Sequence, residues 1–137
     1  IDDYASRISH YMPFEIVVIP ELRNTKSLGE HQQKAAEGEL ILRQIQPSDT
    51  VVLLDEHGKE RRSVEYARWL EQRSMNARRL VFVIGGPYGF SPEVYQRADE
   101  KLSLSLMTFS HQMVRLIFTE QLYRACTIIK GEPYHHE

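Results

Sequence analysis

His111 and Arg115 lie four residues apart where a polar stretch gives way to a helical pattern, so an imidazole and a fixed cation share one face beside the loop at 107–110. They could take a proton from a substrate, polarise it, or orient a ligand; a histidine that merely ends a loop is the plainer alternative. Upstream, Gly85-Gly86-Pro87-Tyr88-Gly89 follows an apolar run. Its spacing is neither the G-x-G-x-x-G of dinucleotide folds nor the Gly-Lys-Ser/Thr end of a P-loop, which argues against a phosphate cradle. Paired glycines allow positive φ and let a ligand reach contact distance of the backbone, while Pro87 stiffens the turn; an ordinary tight turn would look the same. Residues 102–115, LSLSLMTFSHQMVR, then place a strand-like alternation, a polar loop and a helix start within one short stretch. Two backbone-rich loops after two buried strands could together line a pocket for a flat, polar ligand such as an adenine nucleoside. Recognition there would run through amides and carbonyls rather than charged side chains.

The carboxyl end, Glu132-Pro133-Tyr134-His135-His136-Glu137, suggests metal at first sight. Adjacent histidines in an extended tail point opposite ways, and no third nitrogen or sulfur ligand sits at zinc spacing, so no metal is expected. An aromatic and imidazole-rich tail could instead stack on an unpaired base. Arg61, Arg62, Arg68, Arg73, Arg78 and Arg79 are interleaved with Glu60, Glu65 and Glu71, the mixture of a solvated helix face.

These groups sit in a chain of 137 residues and 16.0 kDa, room for one domain over 1–137. Seventeen basic against 19 acidic residues give a net charge of about −2, so any nucleic acid must be met by a local patch or one assembled across an oligomer. Cys126 is the single cysteine and lies in an apolar helical run, which argues against a disulfide framework and suits a reducing cytoplasm. No apolar stretch reaches the roughly 18 residues of a membrane span, and no signal-like segment opens the chain. Residues 1–11 read as the tail of a helix whose beginning precedes Ile1.

The elements that must hold the loops alternate. Residues 14–19 form a β-branched run ended by Pro20, hence a strand. Ser27-Leu28-Gly29-Glu30 fits a capping box, with a helix after it that Pro47 stops. Residues 50–54 are apolar throughout, as in a strand buried on both faces, and 55–58 make a turn. A helix over 63–75, a buried strand over 80–84 and a helix begun by Ser91 and Pro92 come next. Leu102, Leu104 and Leu106 alternate with serines as a last strand, and a long helix runs over 112–130. The expected fold is α/β with a largely parallel sheet flanked by helices. The last helix carries apolar residues over more than one stripe, which predicts a subunit interface, a twofold homodimer.

Together, the strings LLDEHGK, VIGGPYG, LSLSLMTFSHQMVR and EQLYRACTIIKGEPYHHE resemble, in order and spacing, the RlmH (YbeA) family of SPOUT methyltransferases, and the resemblance runs the length of the chain. It implies a trefoil knot at the carboxyl end, a homodimer packed through the last helix, S-adenosylmethionine as methyl donor, and N3-methylation of a pseudouridine in 23S rRNA of the assembled ribosome. Such a knot is an exception to the rule that chains do not thread loops. By position, the resemblance places the donor on Leu54, Gly85, Gly86, and on Ser105, Leu106, Met107, Thr108, Phe109 and Ser110. For the chemistry, His111 could take the N3 proton or polarise the base, Arg115 and Arg124 could stabilise charge on uracil oxygens or hold phosphates, and Tyr134 and His135 could position the base. Positioning and charge neutralisation without a dedicated base is an equally good account. Ser110 stands where many relatives have proline, which adds an amide to the donor loop and loosens it, and the family's opening strand and most of its first helix fall before Ile1.

Two rivals differ in class: a SPOUT methyltransferase acting on tRNA, and a non-catalytic assembly factor that binds the ribosome. The first would ordinarily carry an added RNA-binding domain, and the second would show a blocked donor pocket.

Overall fold

The computed structural model describes residues 1–20, 22, 28–86 and 88–136. Its elements are α1 (Asp2–Ile8), α2 (Glu30–Arg43), β1 (Thr50–Glu60), α3 (Ser63–Asn76), β2 (Leu80–Ile84), α4 (Pro92–Arg97), β3 (Glu100–Ser103) and α5 (His111–Lys130). Among the described residues the sheet has the order β2-β1-β3 and is parallel, with Val51 opposite Val81 and Leu54 opposite Leu102.

The apolar run at the start of β1 is explained by its neighbours. Alternate side chains of a strand leave opposite faces. Val51 and Leu53 therefore meet Phe90 and Val94 under α2 and α4, while Val52 meets Tyr66, Trp69, Leu70, Phe118 and Leu122 under α3 and α5. All three β1 residues are fully buried, each worth roughly 1.5–3 kcal/mol. At the opposite end from the glycine loop, Arg79 grips Asp49 at 2.9 and 2.5 Å, and the Asp99 carboxylate accepts the Val51 amide at 2.8 Å. The sheet's lower edge is fixed, and its carboxyl ends are left to the loops.

Several expectations change. Residues 14–19 are neither helix nor strand and join no sheet among the described residues, and Ile16, Val17 and Val18 are 47, 57 and 70% exposed. β-Branched sequence favours a pleated surface only where a neighbour supplies the other half of the ladder. Helix α2 takes Gly29 as its N-cap, and the proposed cap Ser27, like Pro87, lies outside the described residues. Residues 55–58 do not end β1; the strand continues to Glu60 with a register shift against β3 between Leu54 and Lys59.

The last strand is shorter than its alternation suggested: β3 stops at Ser103, Leu104 is half-buried and Leu106 is 78% exposed. The serines explain it. Ser103 Oγ donates to the Ser105 carbonyl at 3.0 Å and Ser105 Oγ accepts the Met107 amide at 3.0 Å, local bonds that draw the backbone out of the ladder. Ser110 tightens its end of the loop rather than loosening it, because its hydroxyl caps α5 by accepting the Met113 amide at 3.3 Å.

Candidate functional site

The carboxyl ends of β1 and β2, the loop after β3 and the first turn of α5 converge on an open cleft of about 420 Å³. Leu54 closes one side, Gly85 and Gly86 another, and Ser105, Met107, Thr108, Phe109 and His111 the third. Leu106 and Ser110 are not on its wall: Leu106 points outward, and Ser110 is spent on the helix cap. The volume is in the range of small-molecule sites, and the position, outside the carboxyl ends of parallel strands, is where open α/β sheets bind ligands.

The rim is more charged than expected. Asp55, Glu56 and His57 line the cleft together with Tyr88, Phe90, Tyr95 and Val114. Asp55 Oδ1 accepts the His57 amide at 2.8 Å, Oδ2 accepts the Tyr95 hydroxyl, and Thr108 Oγ1 donates to Glu56 Oε2 at 3.3 Å. Burial first, and then the bond to Asp55, push the Tyr95 phenol up to about 12. The sequence held a signal for these residues: polar side chains immediately after a buried parallel strand stand at the strand's carboxyl end. The cleft therefore has backbone walls and, beside them, a rim of carboxylates that the backbone reading did not include.

The residues assigned to catalysis do not share one place. His111 is at the cleft, Arg115 is exposed on α5, and Arg124, Tyr134 and His135 gather near the far end of that helix. His111 and Arg124 are 13 positions apart on one helix, roughly 20 Å at about 1.5 Å per residue. The second cluster exists because Gly131, at φ +72°, ends α5 in a left-handed turn closed by the Glu132 amide on the Thr127 carbonyl at 2.9 Å. That turn sends the tail back along the helix. Arg124 donates twice to Glu120 Oε1, at 3.1 and 2.6 Å, the Tyr134 hydroxyl donates to the same oxygen at 3.1 Å, and Arg124 Nη1 lies 3.0 Å from His135 Nδ1. The guanidinium is 4.9 Å from the centre of the Tyr134 ring. Burial, with hydrogen bonds involving Tyr4 and Glu120, pushes the Tyr134 phenol up to about 12. Within one chain, then, Arg124 is a paired cation that orders the tail. Glu120 was missed, although its spacing of four from Arg124 is the ion-pair spacing of a helix.

No three His, Cys, Asp or Glu side chains among the described residues are grouped to hold a metal ion, and no described helix is long and apolar enough to cross a membrane. The family model described as "Predicted SPOUT methyltransferase" matches residues 1–135. The chain belongs to the SPOUT methyltransferase family. It is 64% identical to the ribosomal RNA large subunit methyltransferase H of Bacteroides fragilis, across 100% of this chain and 88% of the relative. Proteins of the same name from Bacteroides thetaiotaomicron and Christiangramia forsetii are 63 and 62% identical, covering 100 and 97% of this chain and 88 and 85% of theirs. SPOUT membership implies a methyl donor of the S-adenosylmethionine type. The cleft fits such a donor: apolar side chains and bare glycine backbone suit an adenine, and carboxylates at the rim suit a cationic sulfonium.

Proposed function

We propose that this protein transfers a methyl group from S-adenosylmethionine to N3 of a pseudouridine in 23S rRNA of the assembled ribosome, acting as a homodimer in the cytoplasm. The observation that carries the reading is the open cleft formed where Leu54, the paired glycines and the loop at 105–110 meet His111. An assembly factor that had lost the reaction would have no need of this opening. The relatives' name supplies the acceptor class, large-subunit ribosomal RNA.

The donor supplies an electrophilic methyl on a sulfonium: the N3–C bond forms, the S–C bond breaks to a neutral thioether, and N3 gives up its proton. His111, on the cleft wall at the first position of α5, is the side chain placed to accept that proton or hold the imide in line. The walls restrict how donor and acceptor can approach each other, which is the larger part of the work for an in-line displacement.

The dimeric reading is supported by how α5 is covered. Its carboxyl half is buried, with Phe118, Leu122, Ala125 and Cys126 in the core, while its amino half leaves Met113 and Leu116 at 47 and 38% exposure. A twofold contact through this half would cover that apolar surface with its own copy.

The test is methylation of whole ribosomes, free large subunits and tRNA, with calorimetry of donor binding alongside. Methyl transfer confined to ribosomal particles supports the reading. Transfer to tRNA, or a protein that binds ribosomes but no donor, refutes it.

A further inference from the structure

Asp55 follows directly on Leu54 at the carboxyl end of β1's paired core, half-buried on the cleft wall. Both its oxygens are oriented from the protein side: Oδ1 by the His57 amide at 2.8 Å and Oδ2 by the Tyr95 hydroxyl, whose ring in turn lies 5.6 Å from Lys101 Nζ. A carboxylate offers about four acceptor positions, and these bonds use two. Burial pushes the carboxyl up, but the Tyr95 hydroxyl, the His57 amide and the nearby His57 and Lys101 charges outweigh it, so the group titrates below its ordinary value.

We propose that Asp55 holds the ribose cis-diol of the donor nucleoside. This rests on the donor reading of the cleft and names a contact within it. Two vicinal hydroxyls are paired donors, and an oriented, acceptor-only carboxylate is their complement. Position selects the sugar over the amino-acid end. With the flat base against Leu54 and the glycine loop, Asp55 stands on the same cleft wall at the next position of β1, its carboxylate held on the α4 side by Tyr95, beside the base rather than under it.

Calorimetry with S-adenosylhomocysteine, methylthioadenosine and 2′-deoxy-methylthioadenosine separates the alternatives. Asp55→Asn should weaken the first two ligands alike, by about 10-fold or more, the loss of a charge-assisted hydrogen bond. The deoxy ligand should bind the unmodified protein comparably weakly and lose little more in the variant. Asp55→Ser, which keeps an acceptor for the His57 amide, carries the same expectation if the asparagine variant fails to fold by circular dichroism. A folded variant with unchanged affinities overturns the assignment. So does a loss for S-adenosylhomocysteine without one for methylthioadenosine, which would put Asp55 at the amino-acid end. If the unmodified protein binds none of the three ligands, the donor reading itself fails and this inference falls with it.

Discussion

Replacing Gly86 by valine should separate donor binding from folding, and the reason lies in what surrounds each of the paired glycines. A methyl group on Gly85 would stand 2.8 Å from Cε1 and 3.0 Å from Cζ of Phe90, a ring only 5% exposed that packs edge-on against Tyr95. One on Gly86 would stand 2.8 Å from Oε2 of Glu37, the far end of a flexible side chain that, among the described residues, is held by a 3.5 Å hydrogen bond from Gln33 Nε2. The carboxylate can swing away; the ring cannot. Gly85→Ala should therefore cost roughly 1–3 kcal/mol through overpacking. Gly86→Val should cost under about 1 kcal/mol, a fall in melting temperature of a few degrees for a domain of this size. Gly86 lines the cleft, and a branched side chain there would nonetheless replace the bare backbone that a nucleoside must touch and push Glu37 aside. We expect the affinity for S-adenosylhomocysteine to fall at least 100-fold, about 2.7 kcal/mol. Calorimetry and a circular-dichroism melt on the same sample measure both quantities. A Gly86→Val protein that melts normally and binds with unchanged affinity would remove Gly86 from the site and refute the argument.

Ile117→Glu, at the edge of the exposed half of α5, should convert the dimer to monomer in light scattering; a monomeric unmodified protein at micromolar concentration sinks the interface. Truncation after Gly131 should leave donor affinity within a few fold while severely reducing methylation of ribosomes, and loss of donor binding with the dimer intact would assign the tail to the donor instead. Acid should weaken the fold. The Arg79 guanidinium holds the Asp49 carboxyl, and Arg73 the Glu100 carboxyl, below their ordinary values of 3.8 and 4.5. Groups depressed in the folded state stabilise it above those values and lose that contribution as pH falls through the folded ones, so urea midpoints should hold from neutrality to about pH 5 and drop below about pH 4. A midpoint flat to pH 3 would contradict this.

The parallel core could be read from the sequence because burial on both faces leaves an unmistakable apolar run at 50–54, and helix starts were legible where a serine precedes proline, as at Ser91. Residues 14–19 misled because a strand needs a partner that composition does not reveal. Leu106 misled because alternation cannot tell a ladder from a segment that serine hydroxyls bend outward. In the site, the glycine loop and the 105–109 stretch were visible as backbone features. Asp55 and Tyr95, 40 positions apart, are brought together only by the return of α4 beneath the end of β1, and no local pattern records that meeting.

The pairing of Arg124 with Glu120 bears on how so nearly neutral a protein meets RNA. A cation with its charge offset inside its own chain contributes little long-range attraction, so Arg124 is poorly suited to capturing phosphates from solution. It is well suited to fixing a surface, since one carboxylate oxygen receives both the guanidinium and the Tyr134 hydroxyl and so sets the tail's geometry before substrate arrives. Arg115 is exposed one turn from His111, and on the proposed reading it is a cation that can face the nucleic acid directly. On the proposed reading, recognition divided this way depends on shape already assembled, by a second subunit on one side and by the ribosome on the other. Isolated RNA fragments carrying the same uridine should then be poor substrates even at low salt, where a mechanism driven by charge would work best.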